Sequence, residues 1–285
     1  MITVNSVSGG KTSAYIAANY PADYDVFSLV RTNDKSCLFP DAKLRQMVSD
    51  RIGVEFIGTL EMDEIIYTIF DLEQFIGREI TWVSSKDTME SLIKRPENNM
   101  LPSPLRRYCT NQLKMKPIFE WWLDKVKTPA LFRIGFRANE MRRAKNTTSK
   151  YNDNGFLEFK HIVGKHKGGR NKWKTTEWQR QEFPLIDDGI FKDDVEKFWA
   201  DKPVRFAQIN NCVGCFHRNE MLLNKLWKTH TNKMQVFSDL EKNRKYPNDT
   251  LKSTSLTYLD IKNFKTQTEL SFDDFNECDS GYCGL

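Results

Sequence analysis

The chain has 285 residues, of which 39% are hydrophobic, 12% aromatic and 28% charged; this length holds one large domain or a domain with an appended module and excludes a small staple-dependent scaffold. No apolar run approaches the ~20 residues of a membrane-spanning helix, so no membrane partner is expected. Subtracting 38 acidic residues from 43 basic ones leaves a modest +5, and Met1 to Gly10 lacks the basic and apolar regions of a secretory signal, so a cytoplasmic location with nothing cleaved off is expected.

Ile2 to Val7 reads as a strand that runs directly into Ser8-Gly9-Gly10-Lys11-Thr12-Ser13, after which Ala14 to Ala18 looks helical. Val26 to Val30 reads as a second buried strand, Gln46 to Ile52 as the end of a helix and Val54 to Ile57 as a third strand. Thr110 to Val126 carries Leu113, Ile118, Phe119, Trp122 and Leu123 at helical spacing, and Ala130 to Ile134 is a fourth short strand. Phe183 to Ile186 reads as a short extended piece, Asp193 to Trp199 as a helix, and the chain from Glu220 onward as mostly helical. Alternation of strand and helix predicts an α/β fold with a parallel twisted sheet flanked by helices. The best division is residues 1–182 as a nucleotide-binding α/β part and residues 183–285 as a mostly helical, cysteine-bearing part.

The charge is unevenly placed. Lys160, Lys165, Lys167, Arg170, Lys172, Lys174 and Arg180 face a single acid, Glu177, between Lys160 and Arg180. That strip is either a solvated loop or a contact for a polyanion, and the interleaved Trp173 and Trp178 would let nucleic-acid bases stack.

Glycines at a strand-to-helix turn let backbone N–H groups converge on a phosphate while the helix N-terminus adds partial positive charge, and Ser8-Gly9-Gly10 followed by Ser13 fits that mechanics. A G-x-x-x-x-G-K-[S/T] loop would need a glycine where Asn5 stands, and the dinucleotide pattern G-x-G-x-x-G is absent. The turn resembles the loop of the PP-loop family of adenine-nucleotide-binding proteins, a HUP-like fold, whose loop reads Ser-Gly-Gly-x-Asp-Ser or a relaxed variant. Thr12 stands where the ATP-cleaving members carry aspartate, which leans toward the phosphoadenylyl-sulfate (PAPS) reductase branch.

Further segments are similar to that branch and come in its order. They are Thr32-Asn33-Asp34 with Leu38-Phe39-Pro40-Asp41, Gly135-Phe136-Arg137-Ala138-Asn139-Glu140 continuing to Arg142 and Arg143, and Pro184-Leu185-Ile186-Asp187 followed by Asp194-Val195. The resemblance implies an adenine nucleotide (PAPS, APS or ATP, with Mg²⁺ as an optional companion) on Ser8, Gly9, Gly10, Lys11, Thr12 and Ser13. It makes Arg137 the leading anion clamp and a catalytic candidate, with Arg142 beside it; without it, the arginines and Glu140 read as a surface ion-pair cluster.

Six cysteines, at 37, 109, 212, 215, 278 and 283, read in a cytosolic chain as ligands or redox thiols rather than structural disulfides. Cys212-Val213-Gly214-Cys215 is a C-x-x-C turn, and Cys109 lies directly before a helix, where a thiolate is favoured. Cys37 reads as a buried apolar residue. In the family, a cysteine followed by threonine and a Leu-Lys-x-x-Pro stretch provides a cluster ligand, as Cys109-Thr110 and Leu113-Lys114-Met115-Lys116-Pro117 do here. The resemblance therefore implies a [4Fe–4S] cluster on Cys109, Cys212, Cys215 and one tail cysteine, with Cys278 as the assigned fourth ligand, His217 as its rival and zinc as the alternative metal. The cluster-bearing reductases use a vicinal Cys-Cys pair where Tyr108-Cys109 stands, and keep a C-terminal nucleophilic cysteine, for which Cys283 in Tyr282-Cys283-Gly284-Leu285 is the candidate. Cys283 either delivers a thiolate or completes the metal site.

Three functions remain open on these residues. The first is sulfur reduction or transfer beside a cluster, with a thiol reductant or sulfur donor as partner. The second is an ATP-dependent sulfurtransferase or nucleic-acid thio-modification enzyme contacting nucleic acid through Lys160 to Arg180. The third is a non-catalytic nucleotide-binding module with structural zinc.

Overall fold

The computed structural model describes residues 1–95 and 100–264. In chain order the elements are β1 (Thr3–Val7), α1 (Lys11–Asn19), β2 (Tyr24–Leu29), β3 (Arg31–Thr32), α2 (Ala42–Ile52), β4 (Gly58–Thr59), α3 (Glu64–Ile76), β5 (Thr81–Ser84), α4 (Met89–Ile93) and α5 (Tyr108–Thr110). A π-helical turn, Asn111–Met115, leads into α6 (Lys116–Lys125), followed by β6 (Ala130–Arg133), α7 (Met141–Thr148), β7 (Leu157–Lys165) and β8 (Asn171–Glu182). The chain continues through α8 (Pro184–Asp187), α9 (Lys192–Trp199), α10 (Glu220–Thr229), α11 (Thr231–Lys242) and α12 (Tyr258–Lys262).

Six strands form one sheet in the order β5-β2-β1-β6-β8-β7. The first five are parallel to their neighbours, and β7 closes the edge antiparallel to β8. The expected α/β class with a mostly parallel, helix-flanked sheet is therefore present. Side-chain alternation along each strand feeds two faces. Val7, Phe27, Leu29 and Trp82 join residues of α1, α2, α3 and α9 on one side, whereas Val4, Val26 and Phe132 join Ile118, Phe119 and Trp122 of α6 on the other. Strand order reverses at β1: the chain builds outward through β2 and β5, then crosses back to β6 on the far side. In open parallel sheets the crevice outside the carboxyl ends at such a reversal is where ligands bind.

Four details differ from the sequence reading. Val54 to Ile57 is not a strand; the short pairing lies just after it, at Gly58–Thr59 against Arg31–Thr32. The third long-sheet strand is Thr81–Ser84, paired with β2. Phe183 to Ile186 is not extended, because Pro184, with its fixed φ and no N–H to lose, opens the short helix α8. The basic strip is no irregular loop but the antiparallel ribbon β7–β8.

The core does not part at Phe183. Val195 and Trp199 of α9 lie in the same cluster as α1 and α3, and Trp199 Nε1 donates to the Lys11 carbonyl at 2.9 Å. Helices α10–α12 build a third cluster, but it takes in Val30, Leu60, Met62, Met89 and Leu113 from the first half of the chain. Among the described residues no helix is long and apolar enough to cross a membrane.

Candidate functional site: a glycine turn beside a thiol-lined cavity

The turn after β1 has the shape a phosphate loop needs. Gly9 takes φ +80°, a left-handed value that favours glycine, and a Cβ there would come within 2.6 Å of Ile65 Cγ2. Gly10 occupies the N-cap of α1 in extended conformation with no side-chain cap. Ser13 locks the turn from inside the helix: its Oγ donates to the Gly10 carbonyl at 3.0 Å, accepts from the Ser8 N–H at 3.0 Å and shares a hydrogen bond with Ser8 Oγ at 3.0 Å. Thr12 and Ser13 are buried. Lys11 faces a neighbouring helix instead, where its ammonium pairs with Glu196 of α9.

Arg137 follows β6, whose carboxyl end lies beside that of β1. It is buried, and its backbone N–H and its Nε both donate to Glu140 Oε2 at 3.0 Å. Arg143 pairs with the other oxygen of Glu140 and lies 4.5 Å over the Phe136 ring. Glu140 thus holds the Arg137 guanidinium in place rather than leaving it on a long flexible arm. Arg142 is exposed on the outer side of α7.

Three of the sequence-predicted cysteines come to one place. Cys109, Cys212 and Cys215 line a cavity of about 50 Å³ with Arg107, Lys114 and His217. The C-x-x-C turn is fastened on several sides. The Val213 N–H donates to the Leu60 carbonyl at 2.8 Å and the Tyr258 hydroxyl to the Gly214 carbonyl at 2.8 Å. Arg218 donates to the carbonyls of Asn210 and Cys212. Gly214 is required by its neighbour, since a Cβ would lie 2.2 Å from the Phe237 ring. Cys37 is buried in the helical core, as expected, and does not line this cavity. Cys278 and Cys283 lie outside the described residues.

Burial pushes the Cys109 thiol up to about 11, and the neighbouring Cys215 adds to that. Burial also pushes Cys212 well above the ordinary thiol range, with Glu61 next in effect. Burial and the nearby Arg107 and Lys252 cations bring His217 down to about 4, so its imidazole is neutral at pH 7. Thiols are soft donors whose protons a bound cation would displace, and a neutral imidazole offers an unprotonated ring nitrogen. Among the described residues, however, no group of three or more His, Cys, Asp or Glu side chains is gathered closely enough to hold a metal ion. Cys109, Cys212 and Cys215 thus share one cavity and carry donor chemistry, without being gathered as a metal-binding group.

Sequence reading missed the charges that border the thiols. Lys114, on the π-helical turn, donates to Glu61 Oε1 at 2.7 Å and to Asn211 Oδ1 at 3.1 Å. Burial opposes its charge, but Glu61 and Cys212 outweigh burial and hold the ammonium above its ordinary range. Nearby, Lys233 donates to the Glu61 carbonyl at 2.5 Å and to Asp63 Oδ1 at 2.7 Å. The sequence signal for Lys114 is its place in Leu113-Lys114-Met115-Lys116-Pro117 after Cys109, which does not reveal Glu61 as its partner.

The glycine turn and the thiol cavity adjoin. A smaller pocket under the turn is lined by Ser6, Ser8, Ser28, Thr110, Lys114 and Met115, and Thr110 and Lys114 also line the cysteine cavity. Compared with known proteins, the chain matches no family model, no curated protein and no solved structure.

Proposed function

We propose that the chain is an enzyme of sulfur chemistry of the PAPS reductase kind. It binds the phosphates of an adenine nucleotide at Ser8 to Ser13 and presents the reacting end of that nucleotide to the thiol-lined cavity. The observation that carries this reading is the shared wall: Thr110 and Lys114 line both the pocket beneath the glycine turn and the cavity of Cys109, Cys212 and Cys215.

In this reading the N–H groups at the start of α1 receive phosphate oxygens, and Arg137, held by Glu140, offers forked donors to the anionic end. Lys114 supplies a fixed positive charge between the two pockets, where it stabilises negative charge on a transferring sulfur group. Cys109, Cys212 and Cys215 would hold a [4Fe–4S] cluster or zinc, with the fourth position from His217 or a tail cysteine. A cluster there would supply electrostatic tuning of the neighbouring anion or electrons for its reduction. A chain working on ATP would release pyrophosphate before sulfur transfer.

The test is calorimetric titration with PAPS, APS and ATP, alongside an assay for pyrophosphate. Micromolar binding of one of them, lost in Gly10→Val, supports the reading; pyrophosphate release with ATP moves it to the ATP-dependent sulfurtransferase branch. Equal affinity of wild type and Gly10→Val would remove the glycine turn from the site.

A further inference from the structure

The β7–β8 ribbon has no role in the site described above, yet it carries the basic strip from Lys160 to Arg180. Its root is packed: Phe159 stacks on Phe119 at 4.4 Å between ring centres, and Trp178 is buried among Phe119, Phe132 and Trp122. Beyond that root every residue from 162 to 175 is exposed, on both strands and through the connecting turn. Ladder pairing continues nearly to the end, with Ile162 opposite Trp173, Gly164 opposite Lys172 and Lys165 opposite Asn171. Ile162 to Lys165 alone spans about 10 Å at ~3.3 Å per residue, so the arm reaches beyond its packed root.

The arm's chemistry selects among partners. Between Lys160 and Thr176 there are six Lys and Arg residues and no acid. Lys160 and Lys174 belong to adjacent cross-strand pairs and so lie on opposite faces of the ribbon. The tip, His166-Lys167-Gly168-Gly169-Arg170, has no apolar side chain, and the exposed Ile162, Val163 and Trp173 lie behind it on the strands, so the leading end of the arm is cationic. Trp173 is 53% exposed, with the Lys160 ammonium 5.5 Å from its ring centre. Cations on both faces suit a groove with phosphates along both walls better than a flat surface. The major groove of B-form DNA, about 12 Å wide and 8.5 Å deep, admits a two-stranded ribbon, whereas the A-form RNA groove is too narrow and deep.

We propose that the β7–β8 ribbon is a binding arm for duplex DNA, entering the major groove with Lys165, Lys167, Arg170 and Lys172 on the phosphates. This inference stands apart from the nucleotide and cysteine reading: an arm that holds DNA does so whether or not a cluster is bound. Those four together with Lys160 and Lys174, six cations on as many phosphates, predict a slope of log affinity against log salt of about −5, and about a thousandfold loss between 50 and 200 mM salt.

The test is fluorescence anisotropy with a labelled duplex of mixed sequence. It compares wild type with the combined Lys165→Gln, Lys167→Gln, Arg170→Gln, Lys172→Gln variant, all four of whose sites are exposed. A matched control carries Lys43→Gln, Lys192→Gln, Lys225→Gln and Lys228→Gln, which removes the same charge elsewhere. The arm variant is expected to lose at least about tenfold in affinity and to flatten the slope by about 3 to 4, with the control close to wild type. No duplex binding by wild type, equal losses in arm and control variants, or tighter binding of a duplex RNA than of the DNA would each overturn the proposal.

Discussion

Arg137 is the residue whose sequence alternatives the structure narrows most. A surface ion-pair cluster would leave it exposed, but it is buried, with Glu140 accepting from both its Nε and its backbone N–H. A charge-assisted contact is worth about 1.5–3 kcal/mol, so Arg137→Ala is expected to weaken nucleotide binding roughly ten- to a hundredfold in calorimetry. Unchanged affinity would return the group to a structural role. Gly9 is the second informative position. A side chain there meets both the left-handed φ and Ile65, so Gly9→Ala should lower the unfolding free energy by about 1–3 kcal/mol in urea titration. A variant as stable as wild type would show that the turn relaxes without cost. Both residues were legible because each stands at a strand end in a recognisable pattern. Lys114 and Glu61 were not, since they are 53 positions apart and meet only through the fold.

Elements with a single dominant period read correctly, and those with two competing signals did not. β1, α1, β2 and β6 show a plain apolar run or helical repeat beside a turn. At Val54 to Ile57 an apolar run imitates a strand, whereas Thr81–Ser84 is too short and too polar to stand out. The ribbon was hidden because lysine and glycine mask its alternation, and because nothing in the sequence distinguishes a buried Trp178 from an exposed Trp173. Trp178 is 1% exposed and cannot offer its face to a base, so of the two tryptophans only Trp173 can take that role. Trp178→Ala should therefore cost about 3–5 kcal/mol of stability, and Trp173→Ala should stay within about 0.5 kcal/mol of wild type. Equal costs for both, by chemical denaturation, would contradict the packing of the ribbon's root.

At the scale of the molecule, Cys109, Cys212 and Cys215 line one cavity because the C-terminal helices share a core with the loops at the carboxyl end of the sheet. Leu60, Met62 and Leu113 pack with Leu223, Trp227 and Phe237, and that packing brings the C-x-x-C turn to Cys109. A sequence cut near Phe183 looks natural only because composition changes there. A fragment of residues 1–182 would lose Val195 and Trp199 from one core and most of another. It is expected to show no cooperative unfolding transition by circular dichroism, and a sharp two-state melt would contradict the shared core. In the proposed function Cys109, Cys212 and Cys215 would hold a cluster beside the glycine turn. Its most direct test is anaerobic purification of the whole chain followed by an absorption spectrum and metal analysis. Expected are about four irons per chain and a charge-transfer band at about 400 nm that disappears in Cys212→Ser; a colourless wild-type protein carrying stoichiometric zinc, or no metal at all, would rule the cluster out.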